Sequence, residues 1–231
     1  MWLINSSIGR KIVMSVTGIS LVLFLLFHAV MNLVVIFSPE SYNMICAFLG
    51  ANWYALVATV ALAGLMVLHI LYAILLTAQN MMARGKERYA VTARQKGVEW
   101  ESKNMLALGV IVLGFLGTHL YHFWYKMQFV EILHKMGVHD VDISNATNGA
   151  MYVQELFSQP IYAIIYFVWL AAIWYHLTHG VWSALHSLGL NNKVWMPRVK
   201  VIANIVSTII VLMFASVVLY YLGYAIGAAC A

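Results

Sequence analysis

The chain has 231 residues, of which 63% are hydrophobic and only 9% are charged, and its formal net charge is +5. A soluble domain of this size needs a polar surface that this composition does not supply, and 13% aromatic residues with only 3 Pro exclude a disordered chain. Segments of about ten residues with alternating apolar and polar side chains, typical of an outer-membrane barrel, are absent, so we predict an all-α integral membrane protein.

Five apolar stretches are long enough to span a membrane as helices, which takes about 20 residues each. In chain order they cover residues 11–37, 52–80, 104–126, 160–187 and 199–226. Ser38-Pro39 is a typical helix stop after the first stretch, Lys126 ends the third, and Pro160 is a typical start of the fourth. The loops are too short for a separate water-soluble domain, so residues 1–231 are predicted to form a single transmembrane domain.

The positive charges are distributed asymmetrically between the predicted loops. If the N-terminus is inside, eleven of the 13 Lys and Arg residues lie on the inner side, and only Lys126 and Lys135 lie outside. Inner segments of membrane proteins carry such an excess, so we predict the N-terminus inside and the C-terminus outside. The net charge therefore reports membrane orientation, and no nucleic-acid partner is expected.

None of the eight carboxylates falls in the middle of a predicted span. Proton pumps and cation transporters usually need an acidic side chain at depth, so this distribution argues against those functions. The two cysteines, Cys46 and Cys230, are both predicted on the outer side and lack the spacing of an iron–sulfur or covalent haem site. A disulfide between them stays open.

Six of the nine histidines lie inside predicted spans, where an imidazole is costly unless it is hydrogen-bonded or binds a metal. They are His28, His69, His119, His122, His176 and His179. His134 and His139 in the outer loop and His186 near the inner end of the fourth helix are interpreted as ordinary interfacial residues. A single membrane histidine usually holds helices together by hydrogen bonding, but so many of them indicate a further role.

The depths of four of these histidines match in pairs. At a rise of about 1.5 Å per residue, His28 lies about 14 Å and His119 about 10 Å from the outer ends of their helices. His69 and His176 each lie about 16 Å from the inner ends. Two imidazoles that face each other at one level can bind the iron of a haem b from both sides. The sequence therefore predicts an outer haem between the first and third helices and an inner haem between the second and fourth.

Two neighbouring histidines leave alternatives open. His179 is one turn from His176 on the same face, so either could be the inner ligand, but the depth favours His176 and leaves His179 to a haem propionate or a backbone group. His122 is four residues from the charged end of its helix and is interpreted as interfacial, near a quinone or solvent. Glycines near the ligands would give a flat macrocycle room, although they also permit close helix packing. These glycines are Gly18, Gly64, Gly114, Gly117 and Gly180.

Four short motifs give the chain a resemblance to a known family. They are Phe27-His28-Ala29-Val30-Met31-Asn32, His69-Ile70-Leu71-Tyr72, Gly117-Thr118-His119-Leu120-Tyr121 and His176-Leu177-Thr178-His179-Gly180-Val181-Trp182-Ser183. In this order and spacing they resemble the single-chain, five-helix dihaem cytochrome b subunit of succinate dehydrogenase and fumarate reductase complexes. The resemblance covers nearly the whole chain, including helix order and loop lengths.

The resemblance implies a ligand set, partners and a location. His28 and His119 would bind the outer haem b, and His69 and His176 the inner one, because the family's ligand on the fourth helix lies four residues before the glycine. Such subunits lie in the bacterial inner membrane, anchor an iron–sulfur subunit and a flavoprotein subunit on its inner face, and exchange electrons with quinone, commonly menaquinone rather than ubiquinone. The succinate or fumarate chemistry is expected on a partner subunit.

The chain departs from some members of that family at two positions linked to proton handling. Where those fumarate reductases carry a glutamate two residues before the haem ligand of the fourth helix, this chain has Trp174. Where they carry another near the outer end of the second helix, it reads Gly50-Ala51-Asn52. A proton path built on these glutamates is therefore not expected, and quinone protons are expected to exchange with the outer face.

Quinone contacts and two rival functions complete the expectations. Polar residues near the outer ends of the helices are the quinone candidates, namely Asn32, Ser38, Glu40 and Tyr42. A dihaem cytochrome b of a hydrogenase or formate dehydrogenase also uses helix histidines, and the soluble subunits that co-purify distinguish it. A haem-free anchor or transporter could bind a substrate or metal ion with the same histidines, and an absorption spectrum distinguishes it.

Overall fold

A computed structural model of the chain describes residues 6–84 and 100–230. These residues are predominantly helical and contain no β-strand. In chain order the helices are α1 (Ser7–Phe37), α2 (Pro39–Phe48), α3 (Trp53–Arg84), α4 (Trp100–His119), a π-helix (Leu120–Phe129), α5 (Val130–Lys135), α6 (Gly149–Phe157), α7 (Pro160–Ser187) and α8 (Trp195–Cys230).

Five helical segments are long and apolar enough to cross a membrane, so the predicted all-α class with five potential spans is confirmed for the described residues. They are Ser7–Phe37, Trp53–Ala83, Trp100–Lys135, Pro160–Ser187 and Trp195–Cys230. The orientation stays a prediction, and much of the basic inner loop, residues 85–99, lies outside the described residues. We name the two ends of the bundle according to the predicted orientation. The outer end carries residues 38–52 and 136–159, and the opposite end is the inner end.

The fourth helix has the predicted bounds, and the other four extend beyond their approximate predicted bounds at one or both ends. The first helix begins at Ser7 instead of residue 11, the second ends at Arg84 instead of residue 80, and the fifth covers Trp195–Cys230 instead of 199–226. Hydrogen-bonding caps decide where a helix begins, and these can lie beyond the apolar stretch. At the start of α1, the Ser6 hydroxyl accepts a hydrogen bond from the Gly9 N–H at 2.9 Å.

The third span does not end at Lys126. The chain instead continues from α4 through the π-helix into α5 and ends at Lys135. The Lys126 ammonium lies 5.4 Å from the centroid of the Tyr152 ring, and this cation–π contact stabilises the positive charge. A π-helix is rare and is often found at functional sites, and it begins here directly after His119.

Two short helices, α2 and α6, lie at the outer end, where the sequence predicted loops. Ser38 connects α1 to α2. Its N–H donates to the Val34 carbonyl at 2.9 Å and ends α1, while its side chain accepts from the Ser41 N–H at 3.1 Å and caps α2. Pro39 occupies the first turn of α2, where its missing N–H costs nothing.

Asn43 joins these two helices into a layer over the outer end. Its amide nitrogen donates to Asn148 Oδ1 at 2.9 Å, and its amide oxygen accepts from the Ala150 N–H at 2.9 Å. Asn148 also caps α6 by accepting from the Met151 N–H at 3.3 Å. The layer therefore depends on paired asparagine side chains, which composition alone does not reveal.

The core of the bundle is centred on α7, which packs closely against α1, α4 and α8. Its buried residues are Ala163, Tyr166, Trp169, Leu170, Ala172, Ile173, Leu177 and Thr178. In addition, α1 packs against α3 and α8. Within the described residues α1 does not pack closely against α4, nor α3 against α7. These two loosely packed pairs are the helix pairs that carry His28 with His119 and His69 with His176.

Gly149 lies where the outer layer leaves no room for a side chain. A Cβ at this position would lie 2.5 Å from Cys46 Sγ and 2.9 Å from Tyr42 Cε1. We expect Gly149→Ala to lower the free energy of unfolding by about 1–3 kcal/mol, because overpacking forces neighbours apart. The midpoint of thermal unfolding in detergent, followed by tryptophan fluorescence, measures the effect. Gly227→Ala is the control, because a Cβ there meets nothing within 4 Å, and an equal loss in both variants would contradict the packing argument.

The two cysteines differ in exposure. Both are free thiols, and burial raises the pKa of Cys46 to about 11, whereas Cys230 is exposed. We expect iodoacetamide at pH 8 to modify Cys230 and to spare Cys46, because the thiolate is the reactive form and Cys46 is almost fully protonated. Modification of Cys46 should increase as the pH rises towards 11. Mass spectrometry of the modified peptides measures this, and Cys230→Ser should leave the folded protein unmodified at pH 8. Comparable labelling of both cysteines in the folded protein would contradict the prediction.

Candidate functional site: two facing histidine pairs

The structure brings His28 of α1 and His119 of α4 together. Their ring centroids are 5.9 Å apart and the rings are nearly perpendicular, at 87°. The Phe24 ring stacks on His28 at 5.4 Å, and Phe214 of α8 lies 5.6 Å from the same ring. These two phenylalanine rings give the His28 imidazole apolar surroundings. We call His28 and His119 the outer pair.

Aromatic residues of α7 surround the second member of the outer pair. The His119 ring lies 5.3 Å from the Trp169 ring and 6.2 Å from the Tyr166 ring. Trp169 is itself fixed, because its indole N–H donates to the Val112 carbonyl at 3.2 Å. His119 Nδ1 is buried and has no hydrogen-bond partner among the described residues. A buried nitrogen in that state costs free energy that a bound group could recover.

A polar link connects the outer pair to α2. The Asn32 amide nitrogen donates to the His28 carbonyl at 2.8 Å and lies 3.3 Å from His28 Nδ1. The hydroxyl of the buried Tyr42 donates to Asn32 Oδ1 at 2.9 Å. Of the four predicted quinone candidates, the structure therefore brings Asn32 and Tyr42 together beside His28. Ser38 caps α2, and Glu40 is exposed in its first turn.

The structure also brings His69 of α3 and His176 of α7 together, and we call them the inner pair. Their ring centroids are 6.4 Å apart at an angle of 65°. His176 Nδ1 is buried and has no hydrogen-bond partner among the described residues. The His179 ring packs perpendicular to Trp182, with ring centroids 4.8 Å apart. Of the two candidates on this helix, His176 is the one that faces His69.

Thr17 and Gly18 of α1 fit the His69 ring. Thr17 Oγ1 donates to the Val13 carbonyl at 2.9 Å and lies 3.3 Å from His69 Nδ1. Because the hydroxyl proton is used in the first bond, its oxygen can accept the Nδ1–H of His69, which leaves Nε2 as the nitrogen with a free lone pair. A Cβ on Gly18 would lie 3.4 Å from His69 Cε1, so glycine lets α1 approach the ring. Thr17 was not among the predicted site residues, although a threonine in an apolar helix is a detectable signal.

His122, interpreted from the sequence as interfacial and near a quinone or solvent, contacts two tyrosines of α7. Its Nδ1 lies 3.2 Å from the Tyr166 hydroxyl, and its ring is perpendicular to Tyr162 at 5.2 Å. It lies in the π-helix, whose wide turn changes the direction of side chains after His119. Nothing in the sequence pattern signals this turn, so the contact with Tyr166 could not be predicted.

Trp174 and the Gly50-Ala51-Asn52 segment stand where some members of the resembled family carry glutamates, and both make contacts of their own. Trp174 donates its indole N–H to the Thr208 hydroxyl at 2.9 Å, linking α7 to α8. At the outer end of α3, the Ala51 N–H donates to Glu131 Oε2 at 2.7 Å. A carboxylate from α5 thus reaches the Gly50-Ala51-Asn52 segment from another part of the chain. Sequence position alone assigned Glu131 to an outer loop.

The ring separations of both pairs can be compared with those of two imidazoles that share a metal ion. With metal–nitrogen distances of about 2.0–2.1 Å, two imidazoles on opposite sides of one metal ion have ring centroids about 6.4 Å apart. The separations here are 5.9 Å and 6.4 Å. The described residues contain no group of three or more His, Cys, Asp or Glu side chains that could hold a metal ion.

Comparison of the chain with protein-family models, curated proteins and solved structures finds no match. The resemblance that the motifs suggest therefore stays a prediction.

Proposed function

We propose that the chain is a dihaem cytochrome b that passes electrons between a soluble iron–sulfur partner and membrane quinone. The observation that supports it is the meeting of four intramembrane histidines in two pairs, with ring separations of 5.9 Å and 6.4 Å, on four different helices. A porphyrin supplies four nitrogen ligands to its iron, so each haem needs only two imidazoles from the protein. When bound, haem b supplies one-electron transfer at each level.

The residues around the pairs fit such a group. The helix pairs α1 with α4 and α3 with α7 do not pack closely within the described residues, so each histidine pair faces across a separation between helices. Gly64, Gly114 and Gly117 are exposed, and a Cβ on each would meet nothing within 4 Å. The Nδ1 atoms of His119 and His176 are buried and have no hydrogen-bond partner among the described residues.

The protein's own task is to position the ligands and keep water away. Phe24 and Phe214 pack against His28, and Trp169 packs against His119, so the outer imidazoles stay in apolar surroundings. In this proposal Thr17 would accept the His69 Nδ1–H and would leave Nε2 available to bind the iron. Hydrogen bonds from the surrounding protein to a metal-binding imidazole raise the basicity of that ligand and influence the potential of the metal centre.

The quinone belongs at the outer end in this proposal. Asn32 and Tyr42 form a hydrogen-bonded link from α2 to the outer pair, and they are the polar groups that we place nearest to the quinone head group. Ser38 already forms the α2 cap, and Glu40 lies exposed at the surface. The exchanged protons would enter or leave on the outer face, because no carboxylate lies at mid-membrane depth.

The partners follow from the predicted orientation. The basic inner side would dock an iron–sulfur subunit and a flavoprotein subunit, as in the succinate dehydrogenase and fumarate reductase complexes that the chain resembles. Succinate or fumarate would react on the flavoprotein, and this chain would serve as the membrane anchor. The location would be the inner membrane of a bacterium, and the quinone would be menaquinone rather than ubiquinone.

The decisive test is the haem content of single histidine variants. We expect the purified chain to show b-type absorption in a reduced-minus-oxidised spectrum and to contain two haems. His28→Ala and His119→Ala should lose the outer haem, and His69→Ala and His176→Ala the inner one, because a b-type haem is held without covalent bonds and depends on its axial ligands.

His179→Ala and the exposed His186→Ala are the controls and should retain both haems. Loss of a haem with His179→Ala and not with His176→Ala would overturn the inner ligand assignment. Complete absence of b-type absorption would refute every electron-transfer function and favour a haem-free anchor or transporter. Co-purification of hydrogenase or formate dehydrogenase subunits would assign the same haems to a different complex.

Thr17→Val tests how the inner ligand is positioned. Valine keeps the shape but removes the oxygen that accepts the His69 Nδ1–H, so the imidazole becomes a weaker donor and the potential of the inner haem should rise. The expected rise is on the order of tens of millivolts, since a tenfold change for one electron corresponds to about 59 mV. A redox titration followed by absorption measures it. Ser20→Ala is the control, because the Ser20 hydroxyl donates to the Val16 carbonyl at 2.9 Å in the same helix. Equal potentials in wild type and Thr17→Val would contradict the role of Thr17.

A further inference from the structure

The chain reverses direction where α5 ends at the outer end of the bundle. The Gly137 N–H donates to the His134 carbonyl at 3.0 Å, and the Val138 N–H donates to the Leu133 carbonyl at 3.1 Å. These two bonds form a Schellman motif, and Gly137 has the positive φ of 90° that this motif requires. The reversal therefore has a defined geometry and brings the residues after it back over the last turn of α5.

A third pair of histidines results from this reversal. The rings of His134 and His139 have centroids 5.6 Å apart and are nearly perpendicular, at 82°. Sequence spacing alone gives these residues no special status, because five positions separate them on an outer segment. The separation is close to those of the two pairs inside the bundle.

His134 has an unusual environment for a residue of the outer segment. Its Nδ1 atom is buried and has no hydrogen-bond partner among the described residues. A buried imidazole nitrogen without a partner is unfavourable, and a metal ion is one partner that such a nitrogen accepts. The nearest cationic side chain along α5, Lys135, is directed elsewhere, because its ammonium donates to the Ala51 carbonyl.

The spacing of the two rings matches the chemistry of a divalent metal. With metal–nitrogen distances of about 2.0–2.1 Å, a tetrahedral N–metal–N angle gives ring centroids about 5 Å apart, and a linear arrangement gives about 6.4 Å. The observed 5.6 Å lies between these limits. Neutral imidazole suits zinc, copper and nickel ions.

We propose that His134 and His139 form a binding site for a divalent transition-metal ion of the zinc type at the outer end of the protein. Water completes the coordination, because the described residues contain no group of three or more His, Cys, Asp or Glu side chains that converge. The ion joins the segment after Gly137 to α5. This site is separate from the two intramembrane pairs and does not depend on the proposed electron transfer.

Bound metal should also stabilise the outer end. Glu131 of α5 accepts the Ala51 N–H at 2.7 Å, so α5 already holds the start of α3. An ion that binds only the folded arrangement of His134 and His139 raises the stability of the folded protein by mass action. Zinc should therefore raise the midpoint of thermal unfolding of the wild type, and this readout is independent of haem content or turnover.

The test is a zinc titration of the full-length protein in detergent against a chromophoric chelator, with a purification tag that contains no histidine. We expect one Zn²⁺ per chain at this site. His134→Ala and His139→Ala should each weaken zinc binding at least about tenfold and remove the thermal shift. His186→Ala is the matched control, since it removes an exposed histidine from the inner end of α7 and should change neither readout.

Gly137→Val provides the geometric test. It keeps both imidazoles but places a β-branched side chain at a positive φ, which strains the reversal. We expect weaker zinc binding than in the wild type. Wild-type affinity in the variant that lacks both His134 and His139 would overturn the site. Equal losses in His186→Ala would show scattered surface binding instead, and undiminished binding in Gly137→Val would refute the proposed role of the turn.

Discussion

An imidazole placed in the hydrocarbon core of a membrane costs free energy unless its nitrogens find partners, and the arrangement of this bundle follows from that cost. His28 and His119 face each other at one level, and His69 faces His176 at the other. Each pair joins helices that do not pack closely along the described chain. The histidines therefore lie where the bundle is open between helices, while apolar contacts close it elsewhere.

A single helix, α7, supports both levels. It carries His176 of the inner pair, and two turns towards the outer end its Trp169 and Tyr166 pack around His119. Because α7 is the most buried of the five spans, these side chains have little freedom to move. A shift of α7 would disturb both pairs at once, so the two levels are mechanically linked through its packing against α1, α4 and α8.

The outer end is organised by side chains that satisfy helix termini. Gln128 of the π-helix accepts hydrogen bonds from Trp124 at 2.8 Å and from Thr59 at 3.0 Å, and its amide nitrogen donates to the Gly50 carbonyl at 3.1 Å. Glu131 binds the neighbouring Ala51 N–H. Backbone groups near the membrane surface thus find partners within the protein, and α3 is fixed to the third span at this end. The π-helix brings the outer end of α3, the outer pair and His122 into one structural unit.

The sequence by itself determined the membrane class, the five spans and the histidines that could meet, because hydropathy and a rise of about 1.5 Å per residue depend only on local chain order. Helix depth favoured His176 over His179 as the partner of His69, but the rotation of α7 against its neighbours decides which of the two rings faces His69. The sequence also missed the π-helix, the outer layer of α2 and α6, and the contacts of Thr17 and Glu131. These features depend on hydrogen bonds between residues distant in sequence, such as the 80 positions between Ala51 and Glu131, and only tertiary packing decides which of those bonds form.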